Sequence, residues 1–471
     1  MFGTAKSTSL AGAFGALGGD FSCLSYNPAG IGMYQFTEIT FSPSFTLNNT
    51  TSYNNKIVLL DDISYSEKFD ENISNGSIGN FGFIFSNPKS DNNWKRINFG
   101  IGVNQLANYD NNIYINTLNN TSSLADNLLA MAQGSTINEL DVFFGSPAFW
   151  TDIIDLQNNS VDTSLNEYLY DNGNYISHVM SNGLKRQKHQ FSSNGDMHEF
   201  VLSLGTSFEE KLYLGATIGI PTFEYSEVIN HREDIFSDTL NNLESFEYMQ
   251  NLYANGEGIN LKLGGIYRIN DNIKIGGALH TPTVFNIQEE FRTITQANFT
   301  DTSYREYSPT NYFEYELTTP WKAIASISAN IDNRILLSAD YEIIDYSTSQ
   351  LRANNLRNDD GTEIFYNENN NIESNYGKTE NIRLGVEYKM NTYSFRAGYL
   401  RNSNPLLENE EVLSENFSFG TGINYGSYYF DLAYILSQRS DNYQMYNSEF
   451  INSTDLVYTN HNVVITLGLR Y

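Results

Sequence analysis

Residues 461–471, HNVVITLGLRY, alternate between apolar side chains and small or polar ones. Every second residue is apolar on one face, namely Val463, Ile465, Leu467, Leu469 and Tyr471. A period of two is the pattern of a β-strand whose two faces meet different surroundings. The same pattern recurs in NIRLGVEYKM (residues 381–390) and NRILLSADYEI (residues 333–343). The sequence therefore predicts a β-sheet protein.

Working outward from these stretches, the alternation predicts about fourteen strands. They lie near 37–48, 77–86, 97–109, 198–208, 211–225, 257–268, 273–287, 312–331, 333–346, 380–390, 393–401, 414–424, 428–439 and 461–471. Short connections alternate with long ones, and Pro320 is expected to bend the eighth strand rather than end it. This alternation is typical of outer-membrane barrels, which have periplasmic turns and extracellular loops. We expect an all-β membrane protein, a 14-stranded antiparallel transmembrane β-barrel.

Composition narrows the classes of partner and chemistry. The 55 acidic and 27 basic residues give a net charge of −28, which argues against a nucleic-acid partner. Mean hydropathy is −0.40, but alternating strands score as polar even when they cross a membrane. The six histidines show no metal-ligand spacing, and neither a nucleophile elbow nor a P-loop is present. We expect no enzymatic activity, no cofactor and no metal.

The long loops carry most of the acids. The acidic runs are HREDIFSDTLNNLESFE (231–247), NDDGTEIFYNENNNIES (358–374) and ENEEVLSE (408–415). They fit either plain solvated surface or carboxylates that meet divalent cations among lipopolysaccharide head groups. His178, His189 and His198 gather in or beside the largest loop, where they are either solvated side chains or part of a haem-binding surface.

The largest insertion spans residues 110–197 and is rich in apolar side chains. A helical pattern places Leu128 and Met131 on one face, and a cluster of aromatic residues follows. The aromatic residues are Phe143, Phe144, Phe149 and Trp150. These side chains need a partner surface. Two interpretations stay open: they form the loop's own core, or they line the mouth of an apolar ligand path.

The start of the chain carries a family resemblance. GTAKSTSLAGAFGALGGDFSCLSYNPAGIGMYQFTEITFSPSF (residues 3–45), followed by the predicted barrel, resembles FadL-type outer-membrane transporters. That family includes long-chain fatty-acid channels and TodX-like aromatic-hydrocarbon channels. The resemblance implies that residues 1–36 form a hatch that plugs the lumen of a barrel formed by residues 37–471. It also implies that Asn27, Pro28, Ala29 and Gly30 anchor this hatch.

The resemblance further implies passive uptake of hydrophobic small molecules, with loop capture and lateral release through the barrel wall. The third strand, INFGIGVNQLANYD (97–110), alternates cleanly through Val103 and then falters. We expect a lateral gate, or else a plain bulge, at Asn104, Gln105, Leu106, Ala107 and Asn108. Lys262, Arg268, Arg383 and Arg396 are candidate luminal basic groups, unless they pair with luminal acids such as Asp340, Glu342 and Glu387. The insertion's Leu128, Met131, Phe143, Phe144, Phe149 and Trp150 would capture the ligand.

The expected surroundings follow from the same resemblance. We expect a monomer in the bacterial outer membrane, in contact with its lipids and lipopolysaccharide. The first residues only faintly resemble a secretory signal, so we expect the signal peptide to be absent from this chain. A role as a protein-secretion or haem-binding surface component on the same fold stays open as the alternative.

Overall fold

The computed structural model describes residues 3–54, 67–89, 93–157, 161–162, 167–168, 173–236, 242–353, 357, 361–407 and 412–471. The strands are β1 (Glu38–Asn54), β2 (Glu67–Pro88), β3 (Trp94–Asn108), β4 (Asn111–Asn119), β5 (Ile154–Leu156), β6 (Val161–Asp162), β7 (Glu167–Tyr168), β8 (Tyr175–Ser177), β9 (Lys185–Phe208), β10 (Leu212–Ile235), β11 (Leu243–Arg268), β12 (Ile273–His280), β13 (Val284–Phe299), β14 (Ser303–Tyr307), β15 (Asn311–Thr318), β16 (Lys322–Ile331), β17 (Ile335–Asp345), β18 (Gln350–Arg352), β19 (Lys378–Met390), β20 (Tyr393–Ser403), β21 (Val412–Asn424), β22 (Tyr428–Tyr443) and β23 (Thr454–Arg470).

The helices are α1 (Ala5–Ser9), α2 (Cys23–Tyr26), α3 (Leu124–Ala132), α4 (Gly145–Trp150) and α5 (Tyr366–Asn375), with 3-10 turns at Pro28–Met33, Ile137–Glu139 and Tyr346–Thr348. None of the helices in the described residues is long and apolar enough to span a membrane. Residues 1–2 of the predicted hatch, and parts of the acidic runs (237–241, 358–360 and 408–411), lie outside the described residues.

Fourteen strands close into one antiparallel barrel, as predicted. In order around the wall they are β1, β2, β3, β9, β10, β11, β12, β16, β17, β19, β20, β21, β22 and β23, and β23 pairs with β1. The alternation sorts side chains between the two faces of this wall. On β22, Phe430, Leu432 and Tyr434 are exposed outward, whereas Asp431 and Ala433 are buried. An outward apolar band is what a lipid-facing barrel requires.

Many strands are longer than the sequence indicated. β9 and β10 each run for 24 residues and β11 for 26, so residues 185–197, predicted to be loop, are strand. Beyond the apolar band the outward side chains become polar, as at Thr222 and Glu224, and the contrast between faces is lost. Alternation therefore marks only the part of a strand that faces lipid.

Pro320 interrupts its strand instead of bending it, which corrects the prediction. β15 ends at Thr318 and β16 begins at Lys322. Proline has no N–H to donate to a ladder, so a central strand tends to break there. A matching break beside Pro282 separates β12 from β13, and the Thr319 backbone N–H donates to the Thr283 carbonyl across the two breaks (2.9 Å).

Residues 3–36, called the hatch from here on, fill the lumen at the short-turn end. The Ala5 N–H donates to Thr466 Oγ1 (2.7 Å), and the Phe14 N–H donates to Asp340 Oδ2 (2.9 Å). On another side of the barrel, Asn98 Nδ2 donates to the Ile31 carbonyl (2.7 Å). The hatch is therefore held by strands from around the whole wall.

The long-loop end is covered by a second unit. Residues 120–157 and 173–184, called the cap, contain α3, α4, β5 and β8. Their buried apolar side chains form one cluster with Phe246 and Tyr248 of β11, Ala297 of β13, and Tyr446 and Ile451. The cap is therefore packed onto the barrel wall, and the lumen lies between cap and hatch.

Candidate functional site

The wall of the barrel changes at Asn104. β2 pairs with β3 from Pro88↔Arg96 up to Asn80↔Asn104, where the pairing ends. The register between β3 and β9 shifts between Gln105 and Ala107, so Leu106 is an extra residue. A bulge of this kind bends a strand and breaks its ladder. Residues 67–78 of β2 pair with β1 and with no other described strand.

After the bulge the chain turns inward. β4 pairs with β9 and lies against the luminal side chains of β1. Asn48 Nδ2 donates to the Asp110 carbonyl (2.8 Å), and Ser52 Oγ donates to the Tyr114 carbonyl (2.6 Å). Side-chain contacts then replace the ladder between β2 and the chain from Gln105 onward. They include Ser77 Oγ to Gln105 Oε1 (2.8 Å), and we call this place the wall opening.

Asp110 ties the corner between β3 and β4 to both neighbours. Its carboxylate accepts from Asn75 Nδ2 of β2 (2.5 Å) and from Asn194 Nδ2 of β9 (2.7 Å). It also accepts from Asn108 Nδ2 (3.0 Å) and the Gly195 N–H (3.2 Å). No motif in the sequence singled out Asp110. The one indication in the sequence was that this acidic residue closely follows the stretch in which the alternation of β3 is lost.

The predicted gate residues therefore come together at one place. Asn104 and Gln105 are buried and face the lumen side, whereas Leu106 is partly exposed at the bulge. Ala107 and Asn108 continue to pair with β9. The geometry contains the bulge that the sequence indicated, and the role of these five residues as a gate stays a prediction.

Two cavities adjoin the wall opening. The side cavity, of about 310 Å³, lies between the hatch, the bulge and the far wall, and its lining includes Ser25, Tyr26, Gln105, Lys322 and Arg383. The upper cavity, of about 380 Å³, lies at the corner between β3 and β4. Three tyrosines and an arginine contribute to its lining: Tyr109, Tyr225, Tyr458 and Arg439. Both cavities are lined mainly by hydrogen-bonding side chains.

The residues predicted to anchor the hatch form a tight turn against β11. Asn27 Oδ1 accepts from the Ala29 N–H (3.1 Å), and Asn27 Nδ2 donates to the Gly15 carbonyl (2.6 Å) and, more weakly, to the Gly265 carbonyl (3.3 Å). Pro28 opens a 3-10 turn that includes Gly30. A Cβ on Gly30 would overlap the Cys23 side chain at 2.7 Å, so glycine is needed here for close approach.

Three of the predicted basic residues are luminal, and each is ion-paired. Lys262 pairs with Glu199. Arg383 pairs with Glu342 at 3.0 Å, and Arg396 pairs with Glu387 (2.5 Å) and Asp431 (2.6 Å). Buried ions need such partners.

Arg268 lies on the same face of β11 as Lys262 but at the short-turn rim, where its side chain is partly exposed. It pairs with the exposed Asp271 at the short-turn rim (2.6 Å). Side-chain parity indicates the face of a strand but not the depth along it.

The predicted capture residues divide into two groups. Leu128 and Phe149 are buried in the core of the cap. Phe143 and Phe144 join the cap to the wall, with ring centroids 5.3 Å from Phe291 and 6.0 Å from Tyr248. Met131 and Trp150 stay exposed, at 43% and 49%. Four of the six side chains therefore take part in packing, and the role of the set in capturing a ligand stays a prediction.

A buried polar network fastens the cap to the wall. Glu233 of β10 accepts from Ser123 Oγ (2.5 Å) and the Leu124 N–H (2.8 Å) at the start of α3. His231 bridges Glu233 (3.1 Å) and His189 Nδ1 (3.1 Å). His178 and His189 are buried, so the expectation of solvated loop histidines is wrong for both. Burial and protein packing outweighed the polarity of the loop.

This network lies outside the lipid-facing band. His189 precedes the outward Leu202 by 13 residues, or about 40 Å along the strand. Burial, with a contribution from His231, holds the pKa of His189 well below its ordinary value of 6.5. Burial acts to raise the pKa of Glu233, but hydrogen bonds and charge from His231, Ser123 and Leu124 bring it below its ordinary value. While the cap is packed on the wall, this network therefore favours an ionised Glu233 and a neutral His189.

Comparisons with known proteins agree with this architecture. No protein-family model matches the sequence, and no curated protein sequence matches it. A Pseudomonas aeruginosa FadL homologue aligns at 13% identity over 100% of this chain and 98% of its own, with a TM-score of 0.55. The CymD monoaromatic hydrocarbon channel aligns at 11% identity over 100% and 97%, with a TM-score of 0.54.

The Ralstonia pickettii toluene transporter TbuX aligns at 13% identity over 100% of this chain and 98% of its own, with a TM-score of 0.52. Identities this low speak for the fold, and the predicted resemblance is confirmed at that level. This chain has the fold of FadL-type channels.

Proposed function

We propose that this protein is a passive outer-membrane channel that takes up hydrophobic small molecules and releases them sideways through its wall. One observation carries the proposal: the wall opening between β2 and β3 lies directly beside the side cavity, since Gln105 and Leu106 belong to both. The solved structures with this fold include a toluene transporter and a monoaromatic hydrocarbon channel. Their ligands support the hydrophobic class.

The proposed path has three steps. The exposed Met131 and Trp150 of the cap offer apolar contact to a molecule arriving from outside the cell. Burial of apolar surface contributes about 25 cal/mol per Å² to such capture. The molecule then reaches the cavities and leaves between β2 and β3, where it meets lipid without passing the hatch. In this proposal the protein is a monomer surrounded by outer-membrane lipid and lipopolysaccharide.

A cross-link across the wall opening tests the path. In a Cys23→Ser background, Ser77→Cys and Gln105→Cys join β2 to the bulge once a short bis-methanethiosulfonate reagent has formed a disulfide with each cysteine and released two methanesulfinate ions. The matched control is Ser44→Cys with Ser77→Cys, because Ser44 Oγ lies 2.7 Å from Ser77 Oγ across strands that are already paired. Uptake of a panel of fatty acids, alkanes and aromatic compounds is measured in cells before and after bridging.

We expect the 77–105 bridge to abolish uptake of the transported compound and the 44–77 bridge to leave it unchanged. Reduction or omission of the reagent should restore uptake in the first pair. Uptake that continues through a bridged 77–105 pair would show that the exit lies elsewhere. A strain without the protein that takes up every compound normally would remove the transport claim itself.

A further inference from the structure

The upper cavity presents polar side chains that are open and unused. Ser437 of β22 and Asn460 of β23 are direct cross-strand partners, and both line this cavity. Both residues are partly exposed, and neither side chain has a hydrogen-bond partner among the described residues. The hydroxyl group of Tyr109, at the corner between β3 and β4, is free in the same sense. Because hydroxyl and amide groups both donate and accept, the three side chains offer both functions to a ligand.

A guanidinium group extends this polar patch along the strands. Arg439 lies over the ring of Tyr458, its direct cross-strand partner, with Cζ 4.3 Å from the ring centroid. Tyr458 is itself fixed, since it is 8% exposed and packs with Ile113 and Ile115 of β4. In the part of the chain that the structure describes, no acid forms an ion pair with Arg439. The N–H groups along the edge of the guanidinium are therefore available to oxygen atoms of a ligand.

Aromatic rings supply the apolar part of the lining. Tyr109 and Tyr225 meet edge to face, with ring centroids 5.7 Å apart, and both line the cavity together with Tyr458. Leu413 is the one aliphatic side chain in the described lining. A tyrosine ring has an apolar face beside a polar tip. The cavity thus combines ring faces with hydroxyl, amide and guanidinium groups.

The mixture of donors and acceptors distinguishes between classes of ligand. A plain hydrocarbon would displace water from Ser437 and Asn460 without replacing its hydrogen bonds, which is costly. A carboxylate could accept from Arg439, but it has no hydrogen to donate to Asn460 Oδ1, and the carboxylate of Asp110 lies in the same lining. A ring with several hydroxyl groups donates and accepts at its edge and can place its C–H groups on the tyrosine rings.

We infer that the upper cavity binds a sugar. This site goes beyond the proposed uptake of hydrophobic molecules, since it holds a polar group in the lumen. The two paired positions on β22 and β23 are two residues apart on one face, so the polar patch is about 7 Å long, which suits one sugar ring.

The sugar could be free or carried on a lipid. Asn402, which lines the side cavity, donates from Nδ2 to Ser414 Oγ in the lining of the upper cavity (2.9 Å), so the two cavities are neighbours. A sugar with an apolar tail would have the side cavity and the wall opening within reach of that tail. Both sources share the same ring chemistry, and the probes below distinguish them.

Binding to the protein in lipid nanodiscs tests the inference. Saturation-transfer NMR gives the dissociation constants, and binding is counted above that to empty nanodiscs. Glucose, galactose, maltose and lactose serve as free sugars, and octyl glucoside, kept below the concentration at which it forms micelles, serves as a sugar with a tail. Tetraethylene glycol and decanoate are the probes without a sugar ring.

Two variants and one matched control locate the site. The variants are Asn460→Leu and Arg439→Met. The control is Asn462→Leu, because Asn462 lies two residues further along the same face of β23 but lines neither cavity. Circular dichroism shows whether the barrel is intact in each.

We expect at least one sugar probe to bind with a Kd of about 1 mM or tighter, and tetraethylene glycol not to bind. Asn460→Leu and Arg439→Met should each weaken sugar binding by about 2- to 10-fold, whereas Asn462→Leu should leave it unchanged. Tighter binding of octyl glucoside than of glucose would assign the sugar to a lipid, and equal binding would assign it to a free sugar. The inference is overturned if no sugar probe binds above empty nanodiscs, if both variants bind sugar like the parent, or if decanoate alone binds through Arg439. Each of these three results would leave the hydrophobic channel standing, since uptake is measured separately.

Discussion

Gly264→Ala should dislodge the hatch, whereas Gly265→Ala should not. A Cβ on Gly264 would lie 1.9 Å from Asn27 Oδ1 and 3.0 Å from the Ala29 nitrogen, so it would occupy the space of the anchor turn. A Cβ on Gly265 would meet Leu214 Cδ2 at 3.8 Å, an ordinary contact. The two substitutions make the same chemical change on neighbouring residues of β11, on opposite faces of the wall.

The size of the effect follows from the overlap. Forcing a methyl group into a filled site costs about 1–3 kcal/mol. Here the overlap falls on the atom that accepts the Ala29 N–H, so relief by moving Asn27 also weakens that hydrogen bond. If this cost is spent on displacing the hatch, the open fraction rises by about 5- to 150-fold.

Cys23 provides the assay. It is the one cysteine of the sequence, lies in α2 of the hatch and is fully buried. A small water-soluble maleimide should label it slowly in the parent protein and in Gly265→Ala, and about 5- to 150-fold faster in Gly264→Ala. Equal labelling of all three proteins, with the barrel intact, would show that the anchor turn does not depend on this close approach.

Three further predictions concern the cap and the corner between β3 and β4. Phe149→Ala removes a buried ring from the cap core and should destabilise the cap by about 3–5 kcal/mol. This loss should be seen as faster proteolysis of the cap. The control, Trp150→Ala at the exposed neighbouring residue, should cost less than about 1 kcal/mol. Asp110→Ala removes the carboxylate that accepts hydrogen bonds from four donors. Amide hydrogen exchange should become faster throughout β4, with β22 as the internal reference. Unchanged exchange in β4 would show that Asp110 does not hold this strand in place. Lowering the pH below about 6.5 should loosen the cap, because His189 binds a proton more readily once the cap has come off the wall. The free energy that holds the cap on the wall should fall by up to about 2 kcal/mol at pH 5. Proteolysis of the cap should therefore become faster as the pH falls, and His189→Gln should weaken this pH dependence.

The sequence predicted the barrel because lipid imposes one simple rule on every outward residue. No such rule applies to the luminal residues, because their side chains must fit the hatch and one another. Gly264 and Gly215 illustrate the point: a Cβ on Gly215 would lie 2.2 Å from the Pro28 carbonyl oxygen, a constraint visible only once hatch and wall are placed together. For the same reason the alternation in β4 could not reveal that this strand turns into the lumen.

The candidate site was predicted in part. The faltering alternation after Val103 indicated the bulge, because a bulge is a local event in one strand. The Asp110 contacts and the pair of His189 with His231 depend on segments far apart in sequence. The position of Arg268 at the rim depends on depth along its strand. A local sequence pattern shows neither contacts between distant segments nor the depth of a residue along its strand.

The energetics of the wall support the bulge as the place of the proposed exit. To part β1 from β2 would break a ladder that runs from Glu38 to Asn54. In lipid such backbone groups find no water to replace their partners. Beyond Asn104 the contact between β2 and the bulge is the side-chain hydrogen bond from Ser77 to Gln105. Gln105 also lines the side cavity, where a water molecule could replace this partner. Widening the wall at this point therefore costs less than opening it where the ladder is intact.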